Sequence, residues 1–97
     1  MQRATVARNE IGPLLDRLIV QLDSEGSATQ KAYFNRIRRV LYHAQDDLEV
    51  ATPILELSTT TVVGFHFSSD ADALIARILE KAEQLAEELR PGHVTYH

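Results

Sequence analysis

The chain has 97 residues, of which 44% are hydrophobic and 25% charged, with no cysteine and a net charge of −4. That length suits one small domain rather than two well-packed ones, and the apolar content is that of a folding chain. The lack of cysteine excludes disulfides, thiolate catalysis and Cys-based zinc sites, and the mildly acidic balance repels nucleic acid and anionic membranes on average.

A single domain over residues 1–97 is expected, with 1–8 and 91–97 as frayed tails. The first residues have no apolar signal-peptide core, and no apolar run is long enough to span a bilayer. The expected setting is cytoplasmic, with no membrane partner.

The first predicted helix runs from about Glu10 to Asp23. Ile11, Leu14, Leu15, Leu18, Ile19 and Leu22 recur three and four apart and form one stripe. Asn9 is the predicted N-cap, and Pro13 falls in the first turn, where a missing N–H costs little. Gly26 supplies the stop. Val20 lies opposite the stripe.

The second predicted helix runs from about Ala28 to Val50. Ser27 and Gln30 have capping-box spacing. Phe34, Ile37, Leu41, Ala44 and Leu48 make its apolar stripe, widened by Tyr33 and Val40. Pro53 is the predicted terminator, since the residue before a proline avoids helical geometry. Thr52 and Pro53 then read as the start of a short helix carrying Ile54, Leu55 and Leu57. From Ser58 to Phe67 the β-branched and aromatic residues favour an extended apolar connector. A helix continuing to Val63 and stopped by Gly64 is the rival.

The last predicted helix runs from Ser69 to Arg90, with Ser69 as N-cap and Asp72 as its capping-box partner. Ala71, Leu74, Ile75, Ile78, Leu79, Ala82, Leu85, Ala86 and Leu89 fall in one arc of about 140°. Arg77, Glu80, Gln84 and Glu87 take the other side. The fold expected is all-α: a small antiparallel bundle of three long helices, one short helix and an apolar connector.

Chemistry is sparsely signalled. Of the imidazoles, His66, His93 and His97 come nearest to a metal set, if the tail approaches the connector. No zinc-binding spacing accompanies them, so solvated histidines are the favoured reading, and no cofactor is expected. No Glu-x-x-His pair, nucleophile elbow or phosphate loop occurs, which disfavours an enzyme. Lys31, Arg36, Arg38 and Arg39 give the second helix a basic first half. Lys31, Asn35, Arg38 and Tyr42 share one stripe, which suits nucleic acid but reads more simply as a solvated face.

The same helix turns acidic at Asp46, Asp47 and Glu49, an order that opposes its dipole. An antiparallel copy would match basic half to acidic half twice, as in a two-fold dimer. The function expected is therefore a small interaction or regulatory protein acting through helix–helix contacts as a homodimer, or with a partner protein. Lys31, Arg38, Arg39 and Tyr42 are its candidate face, with Phe65 and Phe67 as apolar anchors. A nucleic-acid-associated regulator and a histidine-based metal module are the alternatives.

Overall fold

The computed structural model describes residues 3–59 and 65–89, apart from the side chains of Arg3 and Leu89. Val62, Val63, His93 and His97, the tail 91–97 and the rival helix to Val63 lie wholly or partly outside that range. The described residues form an all-helical structure of five helices. These are α1 Arg3–Glu10, α2 Gly12–Ser24, α3 Ala28–His43, α4 Asp47–Ser58 and α5 Ser69–Leu89. None is long and apolar enough to cross a membrane.

The inventory differs from three long helices and a short one, and each difference has a local cause. Where a loose tail was expected, α1 packs with Ala4 and Ala7 fully buried. The apolar stripe continues upstream from Ile11 in alanines too small to signal a core by hydropathy. Asn9 therefore sits inside α1 and is not an N-cap. The amides of Ile11 and Leu15 donate to Ala7 and Ile11 at 2.8 and 2.9 Å, so helical bonding runs across the joint. Pro13 has no N–H for the carbonyl four residues back, and the regular helix is interrupted at Ile11, between α1 and α2.

Gly26 stops α2 as predicted. It adopts φ +74°, while the amides of Gly26 and Ser27 donate to the carbonyls of Asp23 and Leu22 at 3.1 and 3.0 Å. This is a Schellman closure. Ser27 precedes α3 but makes no side-chain cap, and the Gln30 amide reaches the His66 carbonyl instead.

The predicted second helix is broken. Ala44 is extended, at φ −69° and ψ 132°, and α4 begins after Asp46. The Asp46 carboxylate accepts from the Glu49 amide at 2.8 Å, and the Glu49 carboxylate accepts from the Gln45 amide at 2.8 Å. Carboxylates that opposed the dipole of one long helix thus favour the N-terminus of a second one. Pro53, predicted as a stop, lies buried inside α4. At the other break Ser68, not Ser69, is the cap: its hydroxyl accepts from the Ala71 amide at 3.1 Å.

One core joins the helices. Leu15, Leu18, Phe34, Ile37, Leu41, Ile54, Leu57 and Ile78 are almost wholly enclosed. Along α2 and α3, Gly12 faces Tyr42, Asp16 faces Arg38 and Asp23 faces Lys31. Numbers rise on one helix as they fall on the other, so the pair is antiparallel. Arg36 pairs with Glu56, and His43 and Glu49 line one hollow, so α3 and α4 are antiparallel as well.

Candidate functional site

The break at 44–46 changes what the surface presents. In one continuous helix Leu48 would follow Leu41 on the buried stripe. After the break the phase is reset, and Leu48 is 84% exposed. On α4 the buried residues are Val50, Pro53, Ile54 and Leu57. At about 100° per residue, Leu48, Thr52 and Leu55 lie on the opposite side. Leu55 is 54% exposed. Val40, half-exposed on α3, borders Thr52 in a hollow that Arg39, His43, Ala44 and Glu49 complete. The outer face of α3 and α4 is thus an apolar strip with a charged rim.

The predicted interaction residues are mostly occupied within the chain. Lys31 pairs with Asp23 at 2.7 Å. Arg38 pairs with Asp16, and its guanidinium lies over the Tyr42 ring, 4.9 Å from the centroid. The Tyr42 ring covers Gly12, and its hydroxyl donates to Asp16 at 3.4 Å. Their shared stripe therefore forms the outer seam of α2 and α3. The hydrogen bond to Asp16 raises the pKa of Arg38, and the bond to Glu56 raises that of Arg36. Partial burial is the main reason that the Tyr42 phenol is raised above its ordinary value, with the Asp16 carboxylate adding to the effect. Arg39 differs from the others: it is exposed beside the apolar strip.

Phe65 and Phe67 anchor the connector to α3. Phe65 meets Tyr33 edge-on at 5.3 Å, and Phe67 lies 6.0 Å from Phe34. With the Tyr33–Phe34 and Phe65–Phe67 contacts this closes a ring of four aromatics. Both rings are half-buried, with one side of each turned to the chain's own aromatics.

His66 is exposed, and its carbonyl accepts from the Gln30 amide. Among the described residues no group of three or more His, Asp or Glu side chains is placed to hold a metal. His93 and His97 are not among them.

Sequence reasoning placed Leu48 in the core and Leu55 on a short helix without a face. The available signal was Asp46 followed three residues later by Glu49, a start pattern inside an otherwise continuous stripe. No protein-family model, curated protein or solved structure matches the chain.

Proposed function

We propose that this chain is a small interaction protein that works through helix–helix contact and associates with itself, in a binding rather than catalytic role. The observation that carries this reading is the outward apolar strip of Leu48, Leu55 and Val40. A leucine as exposed as Leu48 on a regular helix, aligned with a second one, is favoured in an interface. A strip of so few residues fits the small interfaces of weak, exchangeable complexes. A regulatory role suits such an affinity, and a cytoplasmic setting agrees with the cysteine-free composition.

The nucleic-acid reading is weakened by the placement of the cations. Lys31, Arg36 and Arg38 each face a carboxylate of α2 or α4, so little of their charge is left for phosphates.

Sedimentation equilibrium tests the reading. The wild-type chain is expected to dimerise below about 100 µM. Leu48→Asp is expected to shift it to monomer with its helical circular dichroism retained, because Leu48 contributes nothing to the core. A wild-type chain that stays monomeric at about 100 µM refutes self-association.

A further inference from the structure

The outer face of α4 has a symmetry that specifies how two copies would meet. Leu48, Ala51, Thr52 and Leu55 follow the i, i+3, i+4, i+7 pattern of a helix-packing stripe. The pattern is palindromic in size, with large residues at both ends and small ones in the middle. Small central residues let two helices approach closely, and equal end residues let each strip be its own complement.

Charge follows the same symmetry. Helix α3 carries Lys31, Arg36, Arg38 and Arg39 and no acid; α4 carries Asp47, Glu49 and Glu56 and no base. Antiparallel packing sets Arg36 against Glu56 and His43 beside Glu49, so Arg39 and Val40 lie level with Thr52. Arg39 and Glu49 both border the apolar strip on its α3 side, and both are exposed.

Resting on the self-association proposed above, we infer that the occupant of this face is a second copy of the chain. It packs α4 antiparallel to α4 about a two-fold axis between Ala51 and Thr52. Leu48 then meets Leu55 of the partner subunit, twice. The same operation turns the α3-side rims towards each other and carries Arg39 to the partner's Glu49, also twice. These cross-pairs offset the repulsion that two acidic α4 helices alone would feel. The charge match expected between copies of one long helix is thus partly made within the chain, by Arg36 and Glu56, and the remainder falls to Arg39.

Two experiments decide it. The chain has no cysteine, so Thr52→Cys can be disulfide-linked only to another copy. Thr52 is exposed, which makes the change tolerable to the fold. Mild oxidation at micromolar concentration is expected to link Thr52→Cys rapidly, while Val20→Cys, on α2 and 68% exposed, links slowly. The second experiment is a charge swap. Arg39→Glu and Glu49→Lys are each expected to weaken the dimer about tenfold or more, since every change counts twice across a two-fold. Mixing the two variants restores wild-type affinity, because each cross-pair then joins opposite charges.

A wild-type dimer in which Val20→Cys links as fast as Thr52→Cys overturns this geometry and leaves self-association standing. Failure of mixing to restore affinity between two folded variants overturns the Arg39–Glu49 pairing. A monomeric wild-type chain overturns both the geometry and the self-association beneath it, and an amphipathic helix of another protein becomes the occupant.

Discussion

Replacing Gly12 with alanine is expected to destabilise the chain because of Tyr42. A methyl group at Gly12 would stand 2.8 Å from the ring carbon Cζ, and closer still to the hydroxyl oxygen. Overpacking of this kind costs about 1–3 kcal/mol. The exposed Tyr42 ring can swing outwards to relieve the contact, but it then leaves its place 4.9 Å from the Arg38 guanidinium, and that loss sets the cost. Against this, alanine is favoured over glycine in a helix by about 0.5–1 kcal/mol. The balance is a loss of up to about 2.5 kcal/mol, which can reach several degrees in Tm for a domain of this size. In a Tyr42→Ala background the collision is gone and only the helical preference remains, so the same change should stabilise. Urea unfolding of the four chains gives the coupling, expected at about 1–3 kcal/mol. Equal effects of Gly12→Ala in both backgrounds would refute the packing of Tyr42 on Gly12.

Other contacts give sharper or smaller effects. Asp46→Ala removes the N-cap of α4 and should cost about 1 kcal/mol by urea unfolding; no change would mean that α4 starts elsewhere. Phe34→Ala removes the buried member of the four aromatics and should cost about 3–5 kcal/mol, enough to lower Tm steeply, and a loss under about 1 kcal/mol would contradict its burial. The Tyr42 phenol has a raised folded pKa, so its stabilising share is intact below the unfolded value and is lost as pH rises through the folded one. The difference in alkaline ultraviolet titration between wild type and Tyr42→Phe should therefore show one tyrosine titrating above about 10. Leu48→Asp should abolish dimerisation while leaving Tm almost unchanged at concentrations low enough that the wild type is also monomeric.

Much of the fold is legible residue by residue. Most of the stripes of 11–22 and 71–89 land in the core as spaced: Leu18, Leu22, Ile75, Ile78 and Leu85 are buried, Ile19, Leu74, Leu79 and Ala86 are partly buried, and the Leu89 side chain lies outside the described residues. Gly26 closes α2 in the left-handed conformation its residue type suggested. The candidate site was much less legible. Lys31, Arg38 and Tyr42 form a real stripe, but its partners Asp23, Asp16 and Gly12 come from a helix whose register against α3 no local pattern states. Phe65 and Phe67 advertised apolar surface without saying that Tyr33 and Phe34 would cover it.

The sequence by itself determined that the chain is helical, which residues of α2 and α5 face inward and where α2 stops, because those properties depend on periodicity and on one or two backbone conformations. Only the tertiary structure decided that residues 28–58 form two helices rather than one. Propensity alone would carry the helix through Ala44 and stop it at Pro53. Folding back instead buries Ile54 and Leu57 with Phe34 and Ile37, sets Arg36 against Glu56 and lets Asp46 cap the new helix. Those gains outweigh a proline inside α4, and they turn Leu48 from the core to the surface, where the proposed interface lies.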